Sequence, residues 1–248
     1  MELFDYPSIE RAVAGCTYVI HAACPNPSKA PKNDAPLVQA GSEGTTNVLK
    51  AAYAAKVKRV VVTCSIASVF MRTEANHKAN YDESDWSNPE MCLNIHHKIT
   101  YNKELAVWKF IKEQPKNPDY QLEAVALILG MCLGPTLVSD HSFTVAELIE
   151  QTMMGKVPGV AKMMFPMVDV RDAGLAHVRA VEVEQAKNQR IIIVGANIWF
   201  KEFAEIMYEN FSKFGYKPKT GEIKFWMLKV ASWIDDTAKT IIPQWDKE

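Results

Sequence analysis

The sequence predicts a doubly wound α/β fold built on a mostly parallel sheet. Three observations carry that expectation. Short β-branched runs without polar interruption recur, the clearest being Val60-Val61-Val62 and the run of Ile191, Ile192 and Ile193. Such runs fit strands covered on both faces. Segments with helical spacing separate them, and strand–helix alternation at this length gives βαβ units. Right-handed crossovers then place helices on both faces of the sheet.

The elements follow in order. Pro7 and Ser8 open a helix over residues 9–14, which Gly15 ends. Residues 18–23 read as a buried strand. Residues 25–36, rich in Pro, Asn, Lys and Ser, read as a loop. Helical spacing runs through 37–56, with Val38, Gly41, Thr45, Val48, Leu49 and Ala52 on one face. A strand is expected over 59–63 and loop over 65–88. A helix follows over 99–112, with Leu105, Trp108 and Ile111 on its apolar stripe. The adjacent pair His96 and His97 falls before that helix, as part of a polar loop. The most apolar stretch, 122–133, reads as a buried strand and its turn. Beyond it come a helix over 143–154, an extended Val168-Asp169-Val170 and a helix over 171–184. A strand over 190–194, an amphipathic helix over 199–214 and a helix over 225–242 complete the chain. The bulky residues of that last helix are expected to be buried. The expected organisation is a nucleotide-side domain over 1–134, with the remaining sheet elements and a smaller substrate-side lobe over 135–248, the two interleaved.

Composition excludes several classes. With 28 basic and 29 acidic residues the formal net charge is -1, and no long basic run offers an electrostatic surface for nucleic acid or anionic lipid. The lysines at 213, 217, 219 and 224 read as a solvated face. No stretch reaches the apolar length of a membrane span. The opening MELFDYPSIERAVAG lacks a basic segment followed by an apolar one, so no signal peptide is expected. Five cysteines without a CxxC pair argue for free thiols in a reducing, cytoplasmic setting. Adjacent histidines diverge on most backbones, so Cys92, His96 and His97 are not expected to hold a metal.

Five blocks, in order, carry a family resemblance: AVAGCTYVIHAA at 12–23, GTTNVL at 44–49, VKRVVVTCS at 57–65, YDESDW at 81–86 and VDVRDAGLAH at 168–177. Together they resemble the extended short-chain dehydrogenase/reductases of the dihydroflavonol-reductase type, in the NAD-dependent epimerase/dehydratase superfamily. The resemblance implies a Rossmann-like sheet and hydride transfer between NADP or NAD and a small-molecule carbonyl or alcohol. In that family a tyrosine gives a proton to the carbonyl oxygen, and a lysine one helical turn later lowers its pKa. A serine at the end of the preceding strand also bonds the oxygen.

Carried onto this sequence, Ser65 takes the serine position and Lys103 the lysine position. Residues i and i+4 share a helix face, so the tyrosine position is Ile99. Tyr101 lies about 200° from Lys103 around a helix. Counting back from Trp108 without a gap instead puts Thr100 at the lysine and His96 at the tyrosine. The resemblance places Glu2 and Leu3 beside the adenine, and Ala22, Ala23 and Gly130 toward the nicotinamide side. Ile128-Leu129-Gly130 stands where the family has Asn-Pro-Gly, and Gly134-Pro135 is kept. The 11 glycines never form G-x-x-G-x-x-G or G-x-G-x-x-G. The resemblance thus implies a sheet lacking its first strands and their glycine loop. Carbonyl reduction impaired by that loop and by Ile99 is one expectation. A non-catalytic member acting as a structural or binding subunit is the other, with a partner or a second copy covering the open sheet edge. Asn47 is assigned either to holding water or backbone in the core or simply to a place in a helix, Arg171, Asp172 and His177 to packing, and His21 to a satisfied core histidine.

Overall fold

A computed structural model describes residues 2–25, 33–92, 94–137, 144–233 and 236–246. The chain divides into two compact units. The first comprises residues 1–72, 80–129 and 171–193, and the second the remainder.

The first unit is a parallel sheet with its helices. Helix α1 (Tyr6–Val13) begins earlier than its sequence pattern suggests, because Asp5 caps it by accepting from the Ser8 amide at 3.3 Å. Strand β1 (Tyr18–His21) stops two residues short of the expected span. Helix α2 (Ala35–Ala54) starts with a proline in its first turn, two residues before the expected start, while residues 26–32 lie outside the described residues. Strand β2 (Arg59–Ser65) follows, and its serine caps a 3-10 turn, Ile66–Ser68.

The main correction concerns helix α3 (Ile95–Glu113), which begins four residues before its expected start. Asn94 caps it, its Oδ1 accepting from the His97 amide at 2.8 Å. His96 and His97 therefore lie in the first turn of a helix and not in a loop. Strand β3 (Glu123–Leu129) is buried along its whole length.

The sheet order is β1-β2-β3-β6, all parallel, with β6 at Arg190–Ile193. Its core joins Val60, Val62 and Cys64 of β2 to Leu49 and Ala52 of α2 and Val107 of α3. Helix α5 (Val170–Glu182) completes this unit. Buried Arg59 holds its C-terminal end, donating to the carbonyls of Ala180, Val181 and Val183 and pairing with Glu123 at 2.7 Å. His177 ties α5 to β2 through Thr63 at 2.8 Å.

The second unit contains a three-stranded sheet of β4 (Met131–Leu133), β5 (Met164–Asp169) and β7 (Ala196–Trp199). Strands β4 and β5 run parallel, β5 and β7 antiparallel. The segment read as Val168-Asp169-Val170 is longer than expected on its N-terminal side, and Val170 already belongs to α5. Strand β7 had no separate signal, since its four residues follow Gly195 and run directly into a helix. Helix α6 (Phe200–Phe211) packs Phe200, Phe203, Ala204 and Met207 against Met163 and Met167, and α4 (Thr144–Met153) adds Leu148, Ile149 and Met153. The expected last helix is two short ones, α7 (Phe225–Ala231) and α8 (Asp236–Ile241). Burial fails over much of it: Phe225, Met227 and Val230 are exposed, and Trp226 is 62% and Trp233 83% exposed. Among the described residues no helix is long and apolar enough to cross a membrane.

Candidate active site at the C-terminal ends of the parallel strands

Parallel strands deliver their C-terminal ends to one edge of the sheet, where ligands of open α/β folds bind. In the first unit that edge holds Ala22 and Ala23 after β1, and Ser65 at the end of β2. Lys103 reaches it from α3. Its side chain is 1% exposed, and Nζ donates to the Ala23 carbonyl at 2.8 Å. A lysine ammonium has three donors, and this is the one hydrogen bond found for it among the described residues. Burial lowers the Lys103 pKa, against the pull of the nearby Cys64 and Cys24 sulfurs. The same burial pushes both thiols up.

Ser65 is half-buried, and its Oγ accepts from the Ala67 amide at 3.2 Å. A serine hydroxyl keeps its own proton in that arrangement, so it can still donate to a ligand oxygen. Ile99, four residues before Lys103, is fully buried. It packs where α2 and α3 meet, and a Cβ added to Gly41 would lie 2.7 Å from its Cγ2.

Tyr101 points elsewhere. It packs with Ala67, Met71 and Cys92 and lies edge-on to Trp86, ring centroids 6.0 Å apart. Burial raises its pKa, with Cys92 and Glu104 adding to the effect. Thr100 turns its hydroxyl back to the His96 carbonyl at 2.8 Å. His97 is held by Asn94 at 3.0 Å, and burial, then the charge of His96, lowers its pKa to about 4. Burial alone lowers the His96 pKa.

The remaining residues singled out from the sequence have structural partners. Leu3 packs against α1 and α2, and its carbonyl accepts from Asn47 at 3.1 Å. Glu2 is exposed, its amide bonded to Ser8. Gly130 lies in the second unit, where a Cβ would meet the Pro166 carbonyl oxygen at 2.6 Å. His21 donates to Thr45, which itself donates to the Gly41 carbonyl. Burial and then the Lys103 charge hold the His21 pKa down to about 3.

Sequence reasoning missed Glu104. It is fully buried and accepts from Ser68 Oγ, from Trp108 Nε1 at 3.2 Å and from Arg190 Nε at 2.5 Å. Arg190 also donates to the carbonyls of Glu83 and Asp85 and lies 3.8 Å over the Trp86 ring. The signal was the four-residue spacing of Glu104 and Trp108, which share a helix face.

The second unit has its own cleft, about 520 Å³, lined largely by apolar side chains such as Leu133, Ile149 and Met153, with Tyr216. Among the described residues no group of three or more His, Cys, Asp or Glu is placed to hold a metal ion.

A parallel sheet in this order, with a buried lysine and a serine at its C-terminal edge, defines an extended short-chain dehydrogenase/reductase. The chain belongs to the 3-beta hydroxysteroid dehydrogenase/isomerase family, which it matches over residues 1–219. It is 32% identical over 228 residues to cinnamoyl-CoA reductase 1 of Arabidopsis thaliana, covering 90% of this chain and 62% of that protein. To the NADPH-dependent methylglyoxal reductase GRE2 of Saccharomyces cerevisiae it is 28% identical over 182 residues, 69% of this chain and 53% of that one. The chain thus spans between about half and three fifths of the length of these relatives. Among solved structures, gox2253 superposes with a TM-score of 0.76 at 20% identity, covering 99% of this chain and 73% of that one. Yeast methylglyoxal/isovaleraldehyde reductase Gre2 complexed with NADPH gives 0.72 at 22% identity, covering 87% and 67%.

Proposed function

We propose that this chain carries the catalytic part of an NAD(P)H-dependent oxidoreductase that reduces a ketone or aldehyde to an alcohol. The supporting observation is Lys103, a buried ammonium held against the Ala23 carbonyl at the C-terminal end of β1. Burying an ammonium costs several kcal/mol unless it is paired. A lone structural lysine has no reason to carry that cost here.

The residues present fit the nicotinamide end of a dinucleotide. Lys103 has donors left for ribose hydroxyls, with Ala22 and Ala23 exposed beside it. The segments joining β1 to α2 and β2 to α3 contain no glycine, so neither has the glycine-rich turn that brings backbone amides close to a phosphate at a helix start. Reduced nicotinamide, when bound, supplies a hydride to the carbonyl carbon. The chain's own residues hold the ribose through Lys103 and hydrogen-bond the carbonyl oxygen through Ser65.

A titration of NADPH and NADH by fluorescence, with Lys103→Ala alongside, tests this reading. The lysine variant should bind at least about tenfold more weakly, ~1.4 kcal/mol. Turnover is followed by NADPH consumption with methylglyoxal, cinnamoyl-CoA and para-nitrobenzaldehyde. A chain that binds neither dinucleotide and turns over none of the probes sinks the proposal.

Ile99 favours a second reading, a non-catalytic binding or structural subunit, because it fills the tyrosine position with a side chain that has no proton to give. On that reading the open edge of β1, with Ile20 49% exposed, is covered by a partner or a second copy. Light scattering that finds only monomer counts against self-association.

A further inference from the structure

Helix α3 carries a second proton-active side chain on the face that Lys103 uses. Seven residues separate His96 from Lys103, which is two helical turns less about 20°. Both side chains lean toward the helix N-terminus. The arc of α3 that faces the core passes through Ile95, Ile99, Lys103 and Val107, all buried. By the same arithmetic His96 falls within that arc, between the directions of Lys103 and Val107. It is nonetheless only half buried. The arc is therefore partly open at His96, although Ile95 beside it is buried. No hydrogen bond to its imidazole is found among the described residues, whereas the neighbouring imidazole of His97 is bonded by Asn94.

Resting on the reductase reading, we propose that His96 is the catalytic proton donor to the substrate's carbonyl oxygen, with Lys103 holding the nicotinamide ribose on the same helix face. Ile99 has no proton to give, and Tyr101 is packed on the far side of the helix against Met71 and Trp86. The step balances. An N–H bond of the His96 imidazolium breaks and an O–H bond forms at the substrate oxygen, onto which the carbonyl π pair has moved. The carbon receives the two-electron hydride of the reduced dinucleotide. Neutral imidazole is left and regains its proton from water.

An imidazole differs from a phenol here, because it needs no adjacent cation to titrate near neutrality. Its donating form is the protonated one. The titratable groups around this end of α3 are His97, the Lys98–Asp34 ion pair to the cap of α2, Cys92 in the preceding turn, and Lys103 with Cys24. Since burial holds His96 below 6.5, reduction should slow as pH rises past that lowered value. The decline should approach tenfold per pH unit once imidazolium is the minor form.

The test is NADPH-dependent reduction of para-nitrobenzaldehyde across pH, for the wild type, His96→Gln and Tyr101→Phe. An NMR titration of the histidine side chains without dinucleotide runs in parallel. His96→Gln should lower kcat by about a hundredfold or more while leaving NADPH affinity unchanged, and Tyr101→Phe should change neither. The imidazole signal missing from His96→Gln should titrate at the pH where the wild-type kcat/KM falls. His96→Asn replaces the glutamine variant if that variant does not fold. A wild type with no turnover overturns the reductase reading and this assignment together. An active wild type with a His96 variant within about threefold of it, or with a kcat/KM limb away from the NMR midpoint, overturns the assignment alone.

Discussion

Removing Glu104 should loosen the first unit where α3, β6 and the 81–86 segment meet. The carboxylate is fully buried and neutralises Arg190, whose side chain is 10% exposed. Breaking a buried pair by deleting one partner costs about 3–5 kcal/mol, because the survivor is left charged and dry. Arg190 would keep two backbone carbonyls and the Trp86 ring, so Glu104→Ala belongs at the lower end, about 3 kcal/mol. For a chain of this length that corresponds to a fall of about 6–12 °C in the thermal midpoint. Glu104→Gln keeps the shape and loses only the charge, so it should cost less. Urea denaturation measures the loss, and hydrogen exchange should place it in the amides of α3 and β6. A cost below about 1 kcal/mol, or faster exchange confined to other elements, would refute the pairing as a source of stability.

Other perturbations are equally direct. Arg59→Met bares the carbonyls of Ala180, Val181 and Val183 and leaves Glu123 to Lys187 alone; it should cost about 3 kcal/mol in urea, and an unchanged midpoint counts against the contact. His21 lies at about 3 in the fold against 6.5 when free. The unfolded chain therefore binds the extra proton first, and stability present above 6.5 should drain as pH falls toward 3. His21→Gln should flatten part of that slope, and a slope identical in the variant would remove His21 from it. Gly130→Ala forces a Cβ to within 2.6 Å of the Pro166 oxygen and should cost about 1–3 kcal/mol, again read from the denaturation midpoint.

The sheet was legible because its signal is intrinsic to short stretches. Four β-branched or apolar residues in a row, as at 59–63, have few other homes in a folded chain. Tyr101 was also legible, since helical geometry alone put it away from Lys103. The start of α3 was not. Two histidines and a lysine after Asn94 look polar, and the cap works through the Asn94 side chain and the His97 amide, which leave no mark on hydrophobic periodicity. The exposed Trp226 and Trp233 failed for a related reason: residue size predicts burial only where a second surface exists to receive it. The network around Glu104 joins residues 83, 85, 104 and 190, and no local window of sequence spans that distance.

The meeting of Gly41 and Ile99 has a consequence for how this site can change. A tyrosine placed at 99 would add a ring where no space separates α2 from α3, and would leave its hydroxyl in a dry contact. The familiar tyrosine–lysine pair is therefore out of reach of a single exchange, since α2 would first have to withdraw. On the reductase reading, a proton donor here has to come from residues whose surroundings still have room.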